Sequence, residues 1–213
     1  MLEVFEKLEE VYQGEVSGLK FVSPFELLIA VILSAQCTDV RVNQITMELF
    51  KKYKGPQDFA KAKQEELEQD IKSCGCYRVK AKSLRETSRA LLEQFHGQVP
   101  DTREELMSLQ GVGRKTANVV LAFAFGKPAI AVDTHVFRVS HRLHLSAANT
   151  PDGVEQDLMR LLPEEKWGQA HHWLIWHGRR LCKAQSPLCP DCFLKDICPY
   201  ENKTKPKAVK MGG

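Results

Sequence analysis

No stretch of this chain is long and apolar enough to cross a membrane. The most hydrophobic run, Phe25 to Leu33, is nine residues, whereas a spanning helix needs about 20. It follows a polar start that lacks the layout of a signal peptide, and no transit-type segment is seen. The simplest expectation is an intracellular protein without a membrane partner. An excess of one charge is also missing, since 30 basic residues stand against 27 acidic ones and leave a net +3. That balance does not announce nucleic-acid binding, so any phosphate-binding surface must come from local clustering. Sustained apolar–polar alternation is absent too, which argues against a sheet and predicts an all-α fold. No internal repeat or long low-complexity tract appears. Only the lysine-rich end, Asn202 to Gly213, reads as loose, with 206–213 as the tail proper.

What is present begins with size: 213 residues can bury a substantial core in one large or two small domains. Leu2, Phe5, Leu8 and Tyr12 share one face of a short helix, closed by the segment from Gly14 to Gly18. Ser23-Pro24-Phe25-Glu26 combines a cap, a first-turn proline and a capping-box glutamate. The following run, Leu27 to Leu33, is apolar on every face and predicts a central buried helix. Ser34 to Asp39 breaks it and opens another helix to about Tyr53. Further helical patterns cover Gln64–Lys72, Tyr77–Phe95, Thr134–Leu143, Pro151–Leu162 and Glu164–Arg180.

Seven cysteines are present, and four fall in Cys182-x6-Cys189-x2-Cys192-x5-Cys198. An odd total with such crowding argues for metal ligation in a reducing compartment and against a disulfide scaffold. Thiolates suit zinc or an iron–sulfur cluster, and ligand type alone does not choose between them. Structural zinc usually shows paired C-x2-C knuckles, whereas this stretch has one. Arg179, Arg180, Lys183 and Lys195 decorate the loop and could meet phosphates. Cys37, Cys74 and Cys76 lack a compatible spacing and read as ordinary side chains.

The densest pattern runs from Leu106 to Arg138. Thr102 and Glu105 form a capping box for a helix ending near Gln110. Gly111 and Gly113, around Val112, then supply left-handed backbone angles for a tight turn. From Arg114 a second helix follows, with Ala117, Val120, Leu121, Ala124 and Phe125 on one face. Such a start points backbone N–H groups and a positive dipole end outward, ready for a phosphate. Lys115 sits in the first turn, where the same field disfavours its charged form and favours an amine nucleophile. Asp133 follows the apolar run Ala129–Val132, just before the next helix.

The string L-x-x-L-x-G-V-G-R-K-T-A followed by V-D-T-H-V-x-R resembles the helix–hairpin–helix and Gly-Pro-Asp-type loop of base-excision DNA glycosylases, in its endonuclease III branch. The resemblance covers about Pro24 to Cys198. It implies two helical lobes with DNA in the cleft between them: residues 17–127 as a bundle, and 1–16 with 128–205 as the second lobe. It makes 182–198 a [4Fe–4S] loop on Cys182, Cys189, Cys192 and Cys198. It further implies that Lys115, facing Asp133 across the groove, attacks C1′ of a flipped-out nucleotide. The damaged base leaves, and the resulting Schiff base permits β-elimination of the 3′ phosphate, with Asp133 keeping Lys115 deprotonated and stabilising positive charge at the sugar.

By the same resemblance Gln36, in L-S-A-Q-C-T-D, enters the gap left by the flipped base and His135 lies near the lesion phosphate. Gly111, Val112, Gly113 and Arg114 belong to the phosphate-binding hairpin. Cys76 stands where such relatives usually carry a leucine wedge, so void filling there is weaker or shared with neighbours; a buried core thiol is the plain alternative. The expected partner is double-stranded DNA with an oxidised pyrimidine or abasic site, met by a monomer in a prokaryotic cytoplasm at the nucleoid. Two rivals stand beside this reading. An adenine-type monofunctional glycosylase of the same superfamily fits poorly with Lys115 and an end soon after the cysteines. A non-enzymatic helix–hairpin–helix module explains the glycines but leaves Lys115 and Asp133 unmotivated.

Overall fold

The computed structural model describes residues 2–15 and 17–205; the tail at 206–213 lies outside them. Those residues hold eleven α-helices and no strand, and no helix among them is long and apolar enough to cross a membrane. The chain divides into two compact units, Ser17–Ala129 and Met1–Val16 with Ile130–Gly213.

The first unit contains α2 (Pro24–Ser34), α3 (Asp39–Lys52), α4 (Pro56–Lys61), α5 (Gln64–Asp70), α6 (Tyr77–Gln94), α7 (Arg103–Ser108) and α8 (Arg114–Ala124). Its centre is α2, where every side chain from Leu27 to Leu33 is at most 4% exposed. Burying each large aliphatic there contributes roughly 1.5–3 kcal/mol. Entry to α2 follows half of the expected capping box, with the glutamate reaching one residue further back than the cap. Ser23 Oγ accepts the Glu26 amide at 3.2 Å, and Glu26 Oε2 accepts the Val22 amide at 2.8 Å. Thr38 and Thr102 cap α3 and α7 in the same way. Helix α7 stops at Ser108, two residues before the expected Gln110, because Leu109 turns to extended backbone at φ −77, ψ 143. Helix α4 had no signal in the periodicity: six residues hold one core side chain, Phe59, fully buried against Tyr53 and Phe25.

The second unit contains α1 (Leu2–Tyr12), α9 (Thr134–Arg142), α10 (Pro151–Leu161) and α11 (Trp167–Arg180). Val4, Phe5, Leu8 and Tyr12 of α1 join Val136, Val139, Leu158, Trp173 and Leu174 in one core, while Leu2 stays 66% exposed. Thr150 Oγ1 caps α10 through Gly153 N at 3.1 Å. The expected Glu164–Arg180 helix starts as a 3-10 turn, Glu164–Lys166, and becomes α-helical at Trp167. Beyond α11 the described residues, to 205, hold only a short 3-10 turn, Cys189–Asp191, and irregular structure.

Candidate active site and cysteine pocket

The hairpin between α7 and α8 is held from inside its own unit. Val112 is 6% exposed and joins the core, and Val112 N donates to Leu109 O at 3.1 Å to close the turn. Helix α6 supports it with two residues one turn apart: Thr87 Oγ1 donates to Gln110 O at 2.7 Å, and Ser83 lies against Gly111. Arg103 Nε donates to Asn118 Oδ1 at 2.9 Å, tying α7 to α8.

The two glycines serve different ends. Gly111 has φ +80, and a Cβ there meets Ser83 Cβ and Oγ at 2.9 Å. Gly113 is a correction to the expected pair of left-handed residues: its backbone is extended, φ −94 and ψ 176, and any residue adopts it. A Cβ on Gly113 has no atom of this protein within 4 Å. Gly113 is the cap position of α8 and contributes no side chain to the helix's first amides. The start of α8 is therefore open on the protein's side, with Lys115 exposed beside it and Arg114 half-buried.

Asp133 is the cap of α9. Its Oδ1 accepts the amides of His135 and Val136, both at 2.8 Å, so one carboxylate oxygen is committed to the helix. The apolar run before it is buried, and His171 Nδ1–H donates to Ala131 O at 2.6 Å, pinning the approach to Asp133. His135 is half-buried, and burial pushes its pKa down, the Asp133 charge opposing. The neutral ring accepts from Arg138 Nη2 at 3.1 Å, while Arg138 also donates to Gly178 O and Cys182 O. Arg138, the last residue of the V-D-T-H-V-x-R string, and His171, which no sequence pattern marks, thus brace the segment that carries Asp133 and His135. The partners Gly178, Cys182 and Ala131 lie far away in sequence, so the string does not reveal them.

Gln36 and Cys76 are both exposed and both left-handed, φ 54 and φ 56. A non-glycine residue pays about 1–2 kcal/mol for that backbone. Cys76 Sγ lies 4.0 Å from Gln36 Oε1, so the two side chains stand together. The buried-thiol alternative for Cys76 is excluded by its exposure; the buried cysteine is Cys74, 1% exposed. Cys37 is half-buried, and burial with a hydrogen bond to Cys74 pushes its thiol up.

Cys182, Cys189, Cys192 and Cys198 line one pocket with Arg142, His177, Leu181 and Leu188. Among the described residues no three His, Cys, Asp or Glu side chains close around a single ion. Four thiols around a pocket, rather than a tight tetrahedral cage, suit a polynuclear group better than one zinc. The four thiols offer the donor set that a [4Fe–4S] cluster takes. Burial raises the thiols of Cys182 and Cys192, and the Arg142 guanidinium opposes this at Cys182, where Nη1 donates to Sγ at 3.5 Å. Arg142 also donates to Lys183 O and Ala184 O at 2.7 and 3.1 Å, organising the loop in a way the sequence did not announce. Of the expected surface cations, Arg180 pairs with Glu15 at 2.6 Å and covers Trp176, and Lys195 sits 3.5 Å from Pro190 O. Burial pushes His177 down to about 4, and its ring bridges the Tyr12 hydroxyl at Nδ1 (3.3 Å) and Cys192 Sγ at Nε2 (3.8 Å).

Comparison with known proteins matches residues 29–164 to the HhH-GPD superfamily base excision DNA repair protein model and 182–198 to the iron–sulfur binding domain of endonuclease III. Endonuclease III of Bacillus subtilis (strain 168) is 49% identical over 205 residues, 96% of this chain and 94% of the relative. That of Escherichia coli (strain K12) is 46% identical, covering 95% and 96%. The solved structure of a trapped endonuclease III–DNA covalent intermediate superposes with a TM-score of 0.91 at 48% identity, covering 93% of this chain and 94% of that one. With an open helix start after a glycine hairpin, a capping aspartate and a four-thiol pocket at the matched positions, the chain belongs to the endonuclease III family of base-excision DNA repair proteins.

Proposed function

We propose that this DNA N-glycosylase and abasic-site lyase uses Lys115 as its amine nucleophile and Asp133 as its charge-stabilising carboxylate. The observation that carries this reading is the pair of helix starts. Lys115 is exposed at an open N-terminus, and Asp133 is fixed by two amides at a closed one. The neutral ε-amine attacks C1′ of a flipped-out nucleotide, the C1′–N bond breaks, and the damaged base leaves. Ring opening leaves a Schiff base between Lys115 and the sugar. That cation acidifies a 2′ proton, whose loss expels the 3′ phosphate by β-elimination and nicks the strand. Asp133 supports deprotonated Lys115 and offsets positive charge at the sugar. The relative solved as a trapped covalent intermediate with DNA supports a covalent route at 48% identity.

Around this chemistry, the amides at Gly111–Arg114 take a backbone phosphate, Gln36 fills the gap left by the flipped base with Cys76 beside it, and His135 lies near the lesion phosphate. The cluster, when bound, ties the loop after α11 through iron–thiolate bonds; Arg142 and Tyr12–His177 position its ligands. The substrate class is duplex DNA with an oxidised or ring-damaged pyrimidine or an abasic site, met by a monomer on the chromosome of a prokaryotic cell. Borohydride trapping on abasic duplex tests the nucleophile: wild type becomes covalently attached to DNA and Lys115→Gln does not. Equal trapping of both proteins sinks the assignment.

A further inference from the structure

We propose that Lys80 is a positioning residue for Gln36: its buried ammonium gathers the last carbonyls of α2 and holds Gln36 in the left-handed turn that presents it. The inference rests on the reading of Gln36 given above. Lys80, on the first turn of α6, is 5% exposed. Its Nζ donates to Leu33 O at 2.9 Å, to Ala35 O at 2.5 Å and to Cys74 Sγ at 3.0 Å. These three acceptors match an ammonium's three donors. None of the three is a carboxylate, so the compensating partner is the negative end of α2. A buried charge is costly to place, and an apolar side chain of similar length would fill the same space. Packing alone does not account for a lysine here.

The carbonyls at the end of α2 are nearly all assigned. Ser34 Oγ donates to Val31 O at 2.8 Å, Cys37 N donates to Ser34 O at 3.1 Å, and Cys74 donates its S–H to Leu33 O at 3.2 Å. Lys80 takes Leu33 O and, beyond the helix, Ala35 O. In a continuing helix successive carbonyls run along the axis toward later amides. Drawing those of residues 33 and 35 to one nitrogen ends the helix. Ala35 turns to ψ 115 and Gln36 to φ 54. Glycine is the usual occupant of this position after a helix. A glutamine there needs its backbone held by something else, and Lys80 does so. Lys80 also ties this turn to the one before α6, where Cys76 takes φ 56 and Gly75 lies against Gln36 O.

A double-variant cycle tests this. Affinity is measured for a duplex holding a tetrahydrofuran abasic analogue and for the same duplex undamaged, and their ratio is compared among wild type, Lys80→Met, Gln36→Ala and the double variant. Each single change is expected to lower the ratio roughly tenfold, within the span seen for coupled neighbours. The double variant loses no more than either single one, and Lys80→Met leaves affinity for undamaged DNA unchanged. Independent losses that multiply in the double variant, or a parallel loss on undamaged DNA, overturn the role of Lys80 while leaving Gln36 in place. An unchanged ratio in Gln36→Ala removes the reading of Gln36 and this inference with it. If Lys80→Met does not fold, Lys80→Gln keeps two N–H donors for the two carbonyls and enters the same cycle. Lys80→Arg, which keeps the cation, is expected to restore part of the ratio.

Discussion

At the start of α9 the Asp133 carboxylate accepts two amides at 2.8 Å, whereas at the start of α8 the cap is Gly113, which has no side chain to offer. Both helices expose a positive dipole end. One is closed by a group that the chain itself supplies, and that closure orients the carboxylate and leaves its second oxygen outside the cap. The other is left open, with no atom of the protein within 4 Å of where a Cβ would stand. On the proposed function, the contrast separates two uses of one physical feature: a helix start as a rigid mount for a catalytic group, and a helix start as a receptor for an outside anion.

The sharpest way to break this contrast is at Asp133. Asp133→Ala removes cap and charge together, so single-turnover base release falls by about 10²–10⁴-fold and stability falls by about 1 kcal/mol. Asp133→Asn keeps an oxygen for the cap, so its melting temperature stays near wild type while turnover falls as far. An asparagine variant that melts as low as the alanine one removes the mounting role.

The hairpin glycines come next. Gly111→Ala must carry φ +80 and crowd Ser83 at 2.9 Å, which predicts a stability loss of about 1–3 kcal/mol in denaturant unfolding. Gly113→Ala meets neither obstacle and leaves stability equal or slightly higher. Its cost appears in abasic-duplex affinity, about fivefold, equivalent to ~1 kcal/mol at a helix start. Unchanged affinity in Gly113→Ala argues that the open end receives nothing.

The smallest effect concerns the unit that mounts Asp133. Burial, helped by the neighbouring His171 and Arg179 charges, pushes His172 on α11 down to about 3. Unfolded, its pKa lies near 6.5, so on acidification the unfolded chain takes the proton first. Stability from this group is complete above about pH 6.5 and is lost as pH falls toward 3. The urea midpoint should therefore decline through that window, and more gently in His172→Gln.

Helix starts were the most readable part of the chain, because a cap is a local contract between residues three apart. Ser23 and Thr102 accept the amides that their spacing predicts. The cysteine loop was equally readable, since ligand count and order survive without any knowledge of geometry. Gly113 was misread as left-handed because a glycine can be needed for its angles or for its missing side chain, and the letter does not say which. Lys80 was invisible for a similar reason. In Y-R-V-K-A-K it looks like any solvated lysine, and only the arrival of α2's end beside α6 gives it partners.

The amino-acid string alone therefore settled the helical class, the capped helix entries at Ser23 and Thr102, the place of the hairpin and the crowding of four thiols, because each depends on neighbours close along the chain or on chemistry that needs no geometry. Which glycine opens a space, which lysine is buried, and which arginine organises the cysteine loop were settled only by tertiary packing. Those properties come from atoms distant in sequence, such as Leu33 with Lys80 and Arg142 with Lys183, and their energies exist only after burial has brought them together.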